Sequence, residues 1–232
     1  MTERSERSER TPWWGVVSST AAPVLLIGGW TWAAARQEID FDSLTQTISA
    51  LAALDATDRW VMTAALAGVG LSHITTALAL RSAALPGRLV LAGGGLATML
   101  VAALPLPTVV GDGGSTPHTI VAGISFGALA VWPAFAARSS RAPSLAVMAK
   151  TTKDPGGARR TRGGDKPAVP WALRRKVALA ATAVLLAGVA WFVSDLGDDV
   201  SQVGLSERVT AGAQAIWPLL VVLSTRRALR RS

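Results

Sequence analysis

Residues 60–80 read WVMTAALAGVGLSHITTALAL, an unbroken run with no Asp, Glu, Lys or Arg. A helix of that length rises about 30 Å, the thickness of a bilayer's hydrocarbon core. One acid or base at the centre of such a helix costs about 2.5–3.5 kcal/mol on insertion, so a run this long without one marks a membrane span. Five further stretches read the same way: 16–35, 89–110, 119–137, 177–193 and 209–225. None carries an acid or base away from its ends. The expected fold is therefore all-α, an integral membrane bundle of six transmembrane helices.

Composition points the same way. Half of the 232 residues are hydrophobic and only 16% are charged, against about 25% in a typical soluble domain. The mean hydropathy is +0.37. Too few polar side chains remain to cover a water-facing surface. Cysteine is absent, which excludes disulfides, thiolate nucleophiles and zinc–thiolate sites. With two histidines, His73 and His118, no single chain can build a three-imidazole metal site. Neither a metal nor a cofactor is expected. The phosphate-loop, dinucleotide, HExxH and GxSxG motifs are missing as well.

The net charge of +8 would suggest nucleic acid in a soluble protein. Its distribution argues otherwise. With both termini on one side of a six-span chain, 20 of the 23 Lys and Arg residues fall on that side. The positive-inside rule then places both termini in the cytoplasm and the chain in an inner (plasma) membrane of bacterial type. The acids lean outward, with 10 of 15 in the opposite loops. Eight of the nine tryptophans lie near expected span ends, where amphipathic indoles anchor at the headgroups; Trp217 alone lies mid-span.

These readings divide the chain into a disordered cytoplasmic tail (1–12), four spans (13–137), a basic and largely disordered cytoplasmic loop (138–176), two spans (177–227) and a basic tail (228–232). The loop segment 150–170 is rich in Lys, Arg, Gly and Pro, and cannot bury enough apolar surface to offset its ordering entropy. Residues 138–170 interleave no aromatics for base stacking. Anionic lipid headgroups are therefore the expected partners of the 138–176 loop, and nucleic acid is not. Protein partners are not specified. The first span is read as an uncleaved helix; cleavage as a signal peptide after Ala35 would leave five spans.

Candidate sites are few. Gly123 and Gly127 form a GxxxG, and Gly68 and Ser72 share that spacing; both are read as packing surfaces. Gly93, Gly94 and Gly95 are read as packing too, with a broken, site-lining helix as the alternative. His73 lies well inside a span, where a structural hydrogen bond competes with a proton-relay or ligand role. His118 follows Asp112 by six residues at one mouth of the bundle, and Glu207 and Arg208 open the last span on the same side. His and carboxylate ligands here could build a metal site or an acid/base pair, but the spacing is no recognised ligand motif, and an acidic solvated rim is the plainer reading.

Three stretches resemble the domain-of-unknown-function 998 family of small multi-pass bacterial membrane proteins. They are SLTQTISALAALDATDRWVMTAALAGVGL (43–71), the segment from Asp112 through His118 to AGISF (122–126), and GLSERV (204–209) followed by IWPLLVVL (216–223). The resemblance implies a helical membrane fold and favours Asp112, His118, Glu207 and Arg208 as site residues. It implies no reaction, and no catalytic residue is assigned. The expected function is a lipid- or small-molecule-binding transporter or sensor with an outer-face polar pocket. The competing classes are an intramembrane hydrolase using His118 with outer carboxylates, and a structural subunit of a membrane assembly.

Overall fold

A computed structural model describes residues 11–38, 41–109, 114–138, 169–197 and 202–229. Residues 1–10 and 230–232, Asp112 and most of the basic loop lie outside the described residues. All regular structure among the described residues is helical, in six long helices: α1 (Trp13–Ala35), α2 (Trp60–Ala79), α3 (Leu85–Ala103), α4 (Thr116–Ala136), α5 (Arg175–Asp195) and α6 (Val203–Leu229). On length and composition alone, α1 to α5 can each cross a membrane. The chain is thus an all-α, membrane-embedded protein. The sixth helix is more polar than expected, with Thr210 and Gln214 buried along its length.

Several boundaries differ from expectation, each for a local reason. The third span ends at Ala103 rather than 110, because Pro105 disfavours helical geometry in the residue before it. It starts early, at Leu85, with Pro86 in the first turn, where its missing N–H costs nothing. The last helix begins at Val203, so Glu207 and Arg208 sit in its second turn instead of in a loop. The basic loop is ordered at its end: residues 171–173 form a 3-10 turn whose Ala172 and Leu173 are buried.

Helices α1 to α4 pack as successive hairpins, and the glycines set how closely. A side chain at Gly70 would strike the Gly95 carbonyl, and one at Gly95 would strike that of Gly70, so α2 and α3 cross backbone to backbone. Gly94 faces Leu129 of α4 from the other side of α3. The triple glycine is therefore a two-sided packing joint in a continuous helix, not a break. Gly68 packs against Leu25, as its spacing suggests, whereas Gly123 and Gly127 face open space. The GxxxG of α4 packs against nothing among the described residues.

Short polar links pin helix to helix: Ser18 with Thr76 (2.9 Å), Thr98 with Ser125 (2.8 Å), and Thr182 accepting from the Ala134 amide (3.1 Å). Thr11 bonds Thr225 at 2.8 Å and so joins the start of α1 to the end of α6. Trp132 is a correction to the tryptophan pattern. It is 1% exposed and belongs to the core beside Leu91, Leu129 and Val222, not to a headgroup belt. Trp13, Trp32 and Trp60 remain exposed near helix ends.

The two ends of the bundle differ in charge. One end gathers Arg81, Arg88, Arg138, Arg174, Arg175, Lys176, Arg226 and Arg227, tied by Arg138 N–H to the Leu173 carbonyl and by the Ala84 amide to that of Ala136. The other end holds Glu38, Asp42, Asp55, Asp58, Asp195 and Glu207, the acids among the described residues, with Arg36, Arg59 and Arg208.

Candidate functional site

The acidic end is closed by the segment between α1 and α2. Its run Ile48–Ala53 is uncharged and apolar but far too short to span a membrane. It folds into a 3-10 turn, Ser49–Ala52, and buries Ile48, Ala50, Leu51, Ala52 and Ala53. A turn buried this way leaves backbone amides and carbonyls that need partners, and α6 supplies them. The Glu207 carboxylate accepts the Ile48 amide and faces Ser49. The Arg208 guanidinium donates to the carbonyls of Ser43 (2.7 Å), Gln46 (2.8 Å) and Gly204 (2.8 Å). Neighbours in sequence thus grip one segment with opposite polarity, the acid on exposed donors and the base on exposed acceptors. Gly204 is required beneath them, since a Cβ there would strike the Gln46 and Ser43 carbonyls.

Similar fastenings hold the rest of this end. Asp55 accepts from the Val109 amide at 2.8 Å, and Gln37 bonds Thr57 through both backbone groups. Asp58 takes a left-handed backbone (φ 51°) and pairs with Arg36. Asp is among the few residues that adopt this conformation at modest cost.

Beneath the cap lies a cavity of about 60 Å³ between α1, α2, α3, α4 and α6. Its polar wall is formed by Ser49, His73, Thr98, Ser125, Glu207 and Gln214, set among apolar neighbours such as Leu66, Val101 and Phe126. His73 is 1% exposed, and its Nδ1 has no hydrogen-bond partner among the described residues. Thr98 and Ser125 bond each other, and Thr98 also donates back to the Gly94 carbonyl at 2.9 Å. Gln214 donates to the Phe126 carbonyl at 3.0 Å. A cavity of this size holds on the order of two waters, provided that polar partners face it.

The expected site residues are therefore distributed differently from the sequence grouping. Glu207 shares the cavity with His73 rather than with His118. Arg208 holds the cap above it. His118 is 6% exposed, and its Nδ1 bonds the Leu104 carbonyl at 2.7 Å, closing the end of α3 against the start of α4. Asp112 lies outside the described residues. No three His, Asp or Glu side chains among the described residues come together as a metal-holding group.

Sequence reasoning missed Ser49, Thr98, Ser125 and Gln214. Gln214 left a legible signal, as an amide at the centre of an otherwise apolar run. The hydroxyls left none, because Ser and Thr line ordinary helix contacts in membranes equally well.

The model of the family described as protein of unknown function (DUF998) matches residues 20–153, more than half of the chain. The chain belongs to that family. The match covers His73, Thr98, Ser125 and His118 but ends before α5, so Glu207, Arg208 and Gln214 lie outside it. No curated protein and no solved structure matches the chain.

Proposed function

We propose, from this membership and the buried cavity, that the protein binds a small polar solute inside its helix bundle, as a transporter or sensor of the cytoplasmic membrane would. The observation that carries the reading is one cavity lined by Glu207 and Ser49 under the cap and, deeper, by His73, whose Nδ1 is buried without a hydrogen-bond partner among the described residues. A buried polar group without a partner costs about 1–3 kcal/mol unless water or a ligand satisfies it. A cavity walled by a hydroxyl pair, an amide and an imidazole offers donors and acceptors to such a guest. At about 60 Å³ it admits water or a very small solute and excludes a lipid. A larger guest requires the 42–54 cap to lift, and Glu207 and Arg208 are what hold that cap down.

In this reading all six helices span, and the arginine-rich end faces the cytoplasm by the positive-inside rule. The cap and its cavity then open toward the outer face. The hydrolase alternative gains no support from the placement of His118, whose Nδ1 is committed to a backbone carbonyl.

The absence of native cysteine gives a clean test. Ser49→Cys and Ser125→Cys are introduced singly, and intact cells are treated with a small methanethiosulfonate reagent. The expected result is reaction at both positions, slower at the deeper Ser125→Cys, and none at Ser19→Cys, which is fully buried and lines no part of the cavity. Protection of Ser125→Cys in the folded protein, with full reactivity after denaturation, would show a sealed interior and defeat the reading.

A further inference from the structure

A second recess lies on the outside of the bundle, at the basic end. Between α5 and α6 runs a groove of about 540 Å³, bordered by Val177, Ala181, Val184, Ala213, Ile216 and Leu220. No charged side chain among the described residues lines it. Helix α5 is the most peripheral of the five apolar helices, with only 17% of its apolar window buried. The groove reaches from 177 to 185 along α5, about 12 Å at 1.5 Å per residue. That is most of the hydrocarbon depth of one leaflet, about 15 Å.

At its basic end the groove meets a pocket of about 200 Å³ that contains Arg174, Ser224 and Arg227. Trp171 borders both recesses, held edge-on against Trp217 at 6.3 Å. No carboxylate among the described residues pairs with Arg174 or Arg227. Two arginines therefore line one small pocket at the basic end, directly beyond an apolar trough of leaflet depth. An indole marks the boundary between them, the position that tryptophan favours at membrane interfaces.

We infer that this composite recess is a binding site for one anionic phospholipid, its phosphate between Arg174 and Arg227 and an acyl chain along the α5–α6 groove. Charge complementarity selects the occupant. A neutral lipid satisfies the groove but leaves the paired guanidiniums without an anion, and a partner helix satisfies the groove but supplies no phosphate. The site is separate from the internal cavity, shares no lining residue with it, and does not depend on the solute reading.

The test is native mass spectrometry of the full-length protein released from nanodiscs of equal parts phosphatidylglycerol and phosphatidylcholine. The wild-type protein is expected to retain one phosphatidylglycerol in clear preference to phosphatidylcholine. Arg174→Gln and Arg227→Gln should each lower that preference about fivefold, the equivalent of about 1 kcal/mol for each basic side chain at the surface. Arg227→Lys should keep most of it. Arg81→Gln, at the same end but outside the pocket, should leave it unchanged. Ala213→Phe fills the groove and should remove the retained lipid, while circular dichroism shows the helices intact. Equal retention of the two lipids by the wild type overturns the inference. So does an Arg81→Gln effect as large as those at Arg174 and Arg227, which would mean a diffuse basic surface, and so does loss of lipid accompanied by dimers that disappear on Ala213→Phe.

Discussion

The internal cavity and the external groove are both gaps between helices, yet they are built in opposite ways. The cavity is small, is bordered by five helices and a cap, and gathers six polar side chains in its wall. The groove is roughly nine times larger in volume, lies between two helices, and carries no charge along its length. The difference follows from what each borders. A recess facing acyl chains needs no hydrogen bonds, since the lipid is as apolar as its wall. A recess shielded from lipid keeps polar groups only where something answers them. In a membrane protein, the polarity of a gap rather than its size separates a place for solutes from a place for lipid.

This contrast yields an ordered set of stability changes, measured by thermal unfolding of purified protein. The largest should come from the cavity's roof. Arg208→Met strips three backbone carbonyls of a charged donor, a loss of about 2–4 kcal/mol, or about 5–15 °C in Tm. Limited proteolysis should then cut within 41–54. An intact, protease-resistant cap in that variant would mean that Glu207 and apolar burial suffice, and would remove Arg208 from the account of the roof.

Next is the wall. Gly95→Val forces a side chain into the Gly70 carbonyl and His73, and overpacking of that kind costs about 1–3 kcal/mol. Gln214→Leu should cost less, about 1 kcal/mol, by losing one buried bond to the Phe126 carbonyl. If Gln214→Leu raised stability instead, the amide would be kept for a guest rather than for the fold, which sharpens the contrast. The smallest change belongs to the groove, where Ala213→Phe should shift stability by no more than about 0.5 kcal/mol, as for other surface substitutions. A loss above about 2 kcal/mol there would mean that the two gaps are less different than they look.

Much of the fold was legible because each part of it rests on a one-dimensional signal. Uncharged runs locate the helices, and the lopsided arginines identify the two ends. The cap was not legible, since Ile48–Ala53 reads as an ordinary polar-flanked loop until α6 is seen gripping it. Of the site, the sequence singled out Glu207, Arg208 and His73 as unusual residues but not their arrangement. Their neighbours come from the cap, α3, α4 and α6; Gly70, Gly94 and Gly95 set how closely α2, α3 and α4 approach, and no spacing along one chain encodes that packing. Trp132 misled for a related reason. Its position near a helix end is what an anchor has, and only the packing of α4 turns it inward.

The bond between Thr11 and Thr225 joins residues 214 positions apart, and it bears on how the chain assembles. Helices α1 to α4 pair with their immediate successors and can dock as each is made. The α1–α6 seam closes the longest loop in the molecule, and its entropy cost grows only with the logarithm of that length. The seam forms after the last helix has been synthesised, and α6 brings with it Glu207, Arg208 and Gln214 in one step. Until that moment the nascent bundle has an open side, and the segment 42–54 has nothing to clasp. The wall and roof of the cavity are thus completed only when α6 docks.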